Sequence, residues 1–380
     1  MARLGDIFTI SSGGTPNKNE TSYYTNGTIP WVKTGDLKDK YVSKGIECIT
    51  EEGLNNSSAK LFPKDTVLVA IYGATIGACS ILPYEASTNQ ACAAFLPRED
   101  VFPEYLYYFL NSKKDQFVKD GVGGAQPNIS AGYLKNVKFD LVLLEEQKTI
   151  IDVLNKVDNL ISFRKQQLSK LDELVKARFV ELFGDVTSNP NGYPVKNFEE
   201  ISVLITDGEH ATPRRTEYGI YLLSARNILN HALQLDDVDY IDEEEYSRIA
   251  RRVIPQAGDV LISCSGSIGR CCVVPNGLRF QMVRSAALIR FDNTINPAFA
   301  EWLITSDDLQ QQIAQSATQS SQANLFQGKI RKLHGYVPPI ELQNQFAAFV
   351  EQTDKSKFEI QKGLEKLETL KKALMQKYFG

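Results

Sequence analysis

Two hydrophobic patterns alternate along this chain of 380 residues. Residues 1–143 and 185–339 carry short apolar runs broken by Gly, Pro, Asn and Ser, the grammar of strands and turns. Residues 66–71 and Val260–Ser263 predict buried strands, and residues 103–110 and 297–303 predict short helices with Pro near the start. Residues 145–182 and 341–378 read differently, with no Pro, one Gly (Gly363) and dense Leu, Lys and Glu. Every seventh position of the first stretch is Leu154, Ile161, Leu168, Val175 and Leu182, beside a row of Ile150, Val157, Arg164, Leu171 and Arg178. The second stretch gives Phe346, Thr353, Ile360, Leu367 and Leu374, beside Val350, Lys357, Leu364, Lys371 and Tyr378. Heptads sustained this long predict coiled-coil helices, each about 57 Å long at 1.5 Å per residue. The seam is interrupted by charge at Arg164, Arg178, Lys357 and Lys371.

These two stretches are copies. Residues 126–184 and 322–380 align without a gap at an offset of 196, a whole number of heptads, and both end on Phe-Gly. From Glu145/Glu341 onward 11 of 40 aligned pairs are identical, among them Gln147, Asp158, Leu168, Leu171, Leu174 and Phe183; composition alone gives about two or three. The globular segments repeat more weakly. Residues 29–37 answer residues 220–228, Asp65 to Gly77 answers Asp259 to Gly269, and Gln126-Pro-Asn128 answers Gln322-Ala-Asn324 ahead of each helix. A long period with two copies is a tandem duplication rather than a solenoid. The expected fold is therefore α+β: two pseudo-twofold related domains (1–143 and 185–339) joined by a long antiparallel two-helix coiled coil (144–184 and 340–380).

Charge narrows the function. The net charge is −4, which argues against a non-specific polyanion binder but not against a reader with basic residues gathered on one face. The acidic run from Asp236 to Glu245 would have to face away from a phosphate backbone. No apolar run approaches a membrane span. Six cysteines without CxxC spacing and three scattered histidines predict reduced thiols, a cytoplasmic setting and no metal or cofactor. Catalytic signatures are missing: there is no amino-methylation motif and no phosphate-binding GxxxxGK[ST] loop. Ser263, Ser265, Asp259 and His210 could be gathered into a hydrolase reading, but nothing in the sequence places them as a triad.

The order of segments, the Gly13-Gly14-Thr15-Pro16 run, residues 29–37, the Ala74-Thr75-Ile76-Gly77 and Gly266-Ser267-Ile268-Gly269 turns and the duplicated helices together resemble one family. It is the specificity subunit of type I DNA restriction–modification systems. The resemblance implies a non-catalytic protein whose two target-recognition domains each read half of a split double-stranded DNA site. It implies helices that act as a ruler and dock two methyltransferase subunits, with motor-nuclease subunits joining for restriction. Heads in major grooves on one face would sit roughly 34 Å apart, one helical turn. Two other readings are a related (type IIB-like) restriction system with fused methylation and cleavage, and a non-DNA coiled-coil scaffold.

Base reading needs paired donors and acceptors, Arg for guanine and Asn or Gln for adenine, while phosphates take Lys, Ser, Thr and backbone N–H groups. The first domain offers Thr15, Lys18, Asn19, Tyr23, Lys33, Thr34, Asp36, Tyr72 and Thr75. The second offers Thr212, Arg214, Arg215, Ser224, Arg226, Asn227, Ser265, Ser267 and Arg270. Gln126, Asn128, Gln322 and Asn324 either join them or bond loop backbone. On the helices Leu154, Ile161, Leu168, Leu171, Ile360, Leu364, Leu367 and Leu374 are the candidate partner-binding positions. Residues 1–144 hold 12 Lys and 2 Arg, whereas residues 185–340 hold 3 Lys and 11 Arg. Only guanidinium gives a rigid fork, so one reading of the contrast is a second half-site richer in guanine contacts; the other is separate ancestry of the two domains.

Overall fold

The computed structural model describes residues 1–43, 46–122, 128–317 and 324–380. The chain divides into two compact units, Met1–Lys165 with Lys362–Gly380, and Gln166–Gln361. Both predicted long helices form, Leu144–Phe183 and Ile340–Phe379, each 40 residues. Among the described residues no helix is long and apolar enough to cross a membrane.

In the first unit an antiparallel sheet runs in the order Ile10–Ser12, Cys92–Phe95, Val67–Ala70, Cys79–Ile81. The strand Val67–Ala70 is apolar at every position because both its faces are covered. Val67 and Val69 face a core shared with the helix Pro103–Ser112, while Leu68 and Ala70 face a second core. A second, mixed sheet places Ile29–Val32 parallel to Ala86–Thr88, flanked by Cys48–Ile49 and Leu61–Phe62.

The second unit repeats this plan. Its antiparallel sheet runs Ser202–Asp207, Ala286–Phe291, Val260–Ser263, Cys271–Val273, and its mixed sheet pairs Ile220–Leu223 in parallel with Phe280–Met282. Val260 and Ile262 lie in one core and Leu261 in the other. The helix Pro297–Ile304 matches Pro103–Ser112, with Pro at its first turn.

A buried glutamine fixes the root of each long helix. Gln147 is fully buried; its amide donates to the Asp100 and Val142 carbonyls (2.9 Å each) and accepts from the Phe102 N–H at 3.0 Å. Gln343, also fully buried, donates to Thr294 O (3.0 Å) and Pro338 O (2.8 Å) and accepts from Asn296 N–H at 2.8 Å. Each carboxamide thus ties the long helix to the residue that opens the short one. This accounts for the identity of Gln147 and Gln343 across the repeat.

The repeated Phe-Gly has an equally specific use. Phe183 is fully buried in the second unit, its ring 4.8 Å from Phe299 and 5.6 Å from Phe346. Phe379 is buried in the first, 5.4 Å from Tyr105 and 6.1 Å from Phe109, and its carbonyl accepts the Lys113 ammonium at 2.6 Å. Within each unit the two long helices pack antiparallel, as expected. In the first, Lys371 pairs with Asp158 at 2.6 Å and Lys165 with Glu368 at 3.5 Å; in the second, Lys357 pairs with Asp172 at 2.7 Å. Lys357 and Lys371, two charged breaks in the heptad seam, are therefore held by carboxylates of the opposing helix.

Two outcomes are expected. Gln147→Leu orphans two carbonyls and one N–H, each costing about 1–3 kcal/mol, so chemical denaturation should show a loss of several kcal/mol, larger than for the exposed Lys148→Leu. Phe379→Ala should destabilise the first unit by about 3–5 kcal/mol, so that calorimetry shows its melting transition at lower temperature and that of the second unit in place.

Candidate nucleic-acid interface

Parallel strands end on the same side, and that rule gathers the candidate loops. In the first unit Ile29–Val32 and Ala86–Thr88 run out together, and Asn89 N–H donates to Val32 O at 3.0 Å. The Gly13-Gly14 segment crosses over them. Gly14 N–H donates to Thr88 O at 2.9 Å, and the Trp31 indole N–H donates to Gly14 O at 3.0 Å. A Cβ on Gly13 would lie 2.0 Å from Thr88 O, so only glycine permits this approach. The crossing sets the Thr15 hydroxyl on the Gln90 side-chain oxygen. The loop after Val67–Ala70 joins them: Ile71 N–H donates to Ala91 O (2.9 Å), Ile129 N–H to Ile71 O (3.0 Å), and Tyr72 bridges to Asn128. Thr15, Lys33, Tyr72 and Asn128 are thus brought together around Gln90.

The second unit builds the same junction from different residues. Val283 N–H donates to Leu223 O (2.9 Å), Glu209 N–H to Met282 O (2.8 Å), and Arg284 N–H to Glu209 O (3.0 Å). Cys264 N–H donates to Ser285 O at 2.7 Å, Leu325 N–H to Cys264 O at 2.9 Å, and Ser265 bridges to Asn324. By these pairings Arg284 occupies the place of Gln90. Neither was singled out from the sequence, because residues 88–90 and 282–284 have nothing in common; only the strand register equates them. Arg284 is exposed, and among the described residues no carboxylate lies within ion-pair distance of it.

The remaining candidates separate by their partners. Lys18 and Asn19 are exposed on the loop beyond Pro16. Tyr23 is half-buried, its carbonyl accepting Thr50 N–H at 2.9 Å. Lys33 reaches Glu47 at 2.5 Å, and that hydrogen bond raises its pKa. Thr34 sits in a single helical turn, Thr34–Asp36, which Asp36 caps by accepting Lys33 N–H at 2.8 Å. Thr75 donates to Tyr72 O at 3.3 Å. Thr212 is exposed, Ser267 offers its carbonyl to the Ser263 hydroxyl at 2.5 Å, and Arg270 is half-buried. Gly73, Gly77, Gly266 and Gly269 all have positive φ and shape tight turns, as expected. Gln126 and Gln322 lie outside the described residues.

Asn227 departs from expectation. It is buried; its oxygen accepts Ser224 N–H at 2.9 Å, and its amide donates to Gln234 O (3.0 Å) and Asp237 O (2.9 Å). With donors and acceptor used internally it has nothing left for a base edge. It caps the turn Ala225–Asn227 as Asp36 caps Thr34–Asp36, so the second domain keeps this turn without Gly-Asp. Ser224 is tied to the same cap at 3.1 Å.

The arginines bring a second surprise. Arg214 pairs with Asp242 and Glu244 (2.8 Å each), Arg215 with Asp239 (2.9 Å), and Arg226 with Asp239 (3.1 Å) and Asp237 (3.7 Å). The acidic run from Asp236 to Glu245 supplies all five of these carboxylate contacts. The residues of the hydrolase reading have structural duties as well. Asp259 is buried and grips Arg290 through two bonds of 2.7 and 2.8 Å; the Ser263 hydroxyl accepts Arg270 N–H at 3.0 Å; His210 pairs with Asp207 at 2.7 Å.

On the helices the seam positions serve internal packing. Leu154 is wholly buried in the first unit's core, where Leu374 packs against it, and Leu364 is buried too. Ile161, Leu168, Leu171, Ile360 and Leu367 are half-buried. The large apolar side chains left exposed are others, including Leu160, Phe163, Leu174, Phe358 and Leu370.

Residues 1–173 and 211–371 match the family model of the type I restriction modification DNA specificity domain. The chain is 31% identical over 238 residues to the type I restriction enzyme MjaIX specificity subunit of Methanocaldococcus jannaschii, covering 57% of this chain and 54% of that one. Against the EcoR124I/EcoR124II specificity subunit of Escherichia coli identity is 27% over 181 residues, covering 46% and 45%. With the E. coli EcoprrI specificity subunit it is 22% over 379 residues, covering 92% and 86%. The first two alignments span about half the length of those relatives. In fold, the chain superposes on the crystal structure of a type I restriction–modification S subunit from M. genitalium with a TM-score of 0.59 at 16% identity, covering 100% and 95%. With the family model matched over most of its length, and the same strand–loop junction built twice, the chain belongs to the type I restriction modification DNA specificity family.

Proposed function

We propose that the chain is the specificity subunit of a type I restriction–modification complex. It reads a bipartite double-stranded DNA site with one domain per half-site, and directs methylation and cleavage that partner subunits perform. One observation carries the reading: a shared loop scaffold presents unlike side chains, Gln90 with Lys33 in one unit and Arg284 with Ser224 in the other. Conserved backbone geometry with divergent tips is what two half-sites of different sequence require. Gln90 suits adenine and Arg284 suits guanine, which refines the expected guanine bias of the second half-site to one named side chain. Methylome sequencing of a host carrying this chain with its methyltransferase tests the proposal: a split motif supports it, and a continuous motif or none rejects it.

The helices supply the second half of the role. Leu174 and Leu370 are identical across the repeat and remain 49% and 46% exposed. An apolar residue kept in solvent at equivalent positions fits two copies of one partner, the methyltransferase subunit. Motor-nuclease subunits then act on the assembled core.

Arg284→Ala should weaken binding to the chain's own site about 5–150-fold, the loss expected for one bidentate base contact at about 1–3 kcal/mol. Its thermal stability should stay within a degree or so of the parent, because a surface substitution of this kind is nearly neutral. Gln90→Ala should relax recognition in the other half-site only, read by binding to duplexes varied one half at a time. Leu174→Asp should remove one methyltransferase subunit from the complex by native mass spectrometry, and Leu174→Asp with Leu370→Asp should remove both.

A further inference from the structure

The second domain contains a strand and a helix cap that hold its own loop arginines. Asp239 lies on the strand Asp239–Ile241, hydrogen-bonded in register to Ile220–Leu223. Asp242 caps the helix Glu243–Ala250, accepting Glu245 N–H at 2.8 Å through the oxygen that Arg214 does not use. Both carboxylates therefore sit on regular structure. Their partners do not: Arg214 and Arg215 lie in the loop between Asp207 and Ile220, and Arg226 lies in the turn Ala225–Asn227. Asp239 serves two guanidiniums at once, Arg215 at 2.9 Å and Arg226 at 3.1 Å.

A guanidinium accepts carboxylate or phosphate through the same fork, so the two compete. All five pairs are solvent-accessible, with arginine side chains 46–58% exposed. Water reaches such pairs, and a phosphate can displace a carboxylate there at little cost. The first domain is built differently. It has few arginines, and its Lys33 has one carboxylate partner, Glu47. Arg284, at the centre of the second junction, has none among the described residues.

Resting on the reading of this domain as a DNA binder, we infer that Asp239 and Asp242 are specificity-determining positioning residues. They occupy Arg214, Arg215 and Arg226 as internal substitutes for phosphate. On arbitrary duplex these arginines stay with their carboxylates, which suppresses sequence-independent binding. On the cognate half-site, contacts made by Arg284 bring the backbone close enough for exchange. The carboxylates thus lower affinity everywhere but lower it most where the sequence is wrong.

The experiment uses the full-length chain co-expressed with its methyltransferase subunit, and measures binding to a random duplex and to the methylome-defined site between 50 and 300 mM salt. The variants are Asp239→Asn/Asp242→Asn, in which Asn retains the helix cap, Asp239→Glu, and as a charge-matched control Glu217→Gln/Asp236→Asn, which removes two exposed carboxylates nearby in sequence. The Asp239→Asn/Asp242→Asn variant should bind random duplex roughly 5–50-fold more tightly. Its log–log salt slope should steepen by about 1–2, since each added phosphate contact contributes about 0.9, and the ratio of specific to random affinity should fall. Asp239→Glu, which keeps the charge, should hold the parent slope, and the Glu217→Gln/Asp236→Asn control should leave it unchanged. An unchanged slope and random affinity in a folded Asp239→Asn/Asp242→Asn variant overturns the inference, as does an equal rise in the Glu217→Gln/Asp236→Asn control. A parent complex that shows no preference for its own site instead overturns the DNA-reading proposal beneath it.

Discussion

The larger hydrophobic core of each unit is completed by the far end of a long helix. Phe183 closes the core containing Phe299 and Phe346, and Phe379 closes the core containing Tyr105 and Phe109. Burying a phenylalanine at the last turn of a 40-residue helix commits the whole helix to one path, because a slip of one residue rotates the ring by about 100° away from its pocket. The heptad seam, the ion pairs across it and the glutamine at the root of each helix are all consistent with that one register. The helices have diverged less than the globular segments because their two ends and their shared face are constrained together.

The loops are under a different constraint. Their backbone is determined by parallel strand pairs, close glycine crossings and capped turns, none of which depends on the side chain at the tip. Asp36 and Asn227 make the point, since two different residues deliver the same cap through an equivalent oxygen. A scaffold that holds its loops by main-chain bonds can exchange Gln for Arg at its centre without refolding. That is the physical requirement of the reading proposed above, in which two alike scaffolds meet two unlike half-sites.

Much of this was legible in the sequence. The helices were visible because heptads are periodic and long, and the buried strands because an apolar run covered on both faces admits no polar residue. The charged seam positions were visible as exceptions, though their partners were not. Gln147 stood out as an identity, but its three hydrogen bonds depend on residues 100, 102 and 142, which only the fold brings near. Gln90 and Arg284 were hidden because nothing local marks them; their meaning comes from the register of a parallel pair formed by distant segments. Asn227 was misread for the converse reason: a side chain well suited to adenine is equally suited to closing a turn, and burial decides between the two. The acidic run was legible as a charged stretch, but not its pairing with arginines 11–30 residues away in sequence.

The split composition of the first unit also orders events on the ribosome. The second unit is one continuous stretch, Gln166–Gln361, whereas the first needs Lys362–Gly380 in addition to Met1–Lys165. At about 5–20 residues per second, roughly 10–40 s separate the emergence of its opening segment from that of the phenylalanine that seals it. Throughout that interval Tyr105 and Phe109 lack their final neighbour, whereas the later-encoded unit has every residue it requires once Gln361 is made. The half of the protein made first is therefore the half finished last, and a nascent chain stalled before residue 362 leaves an unsealed apolar surface for chaperones to cover.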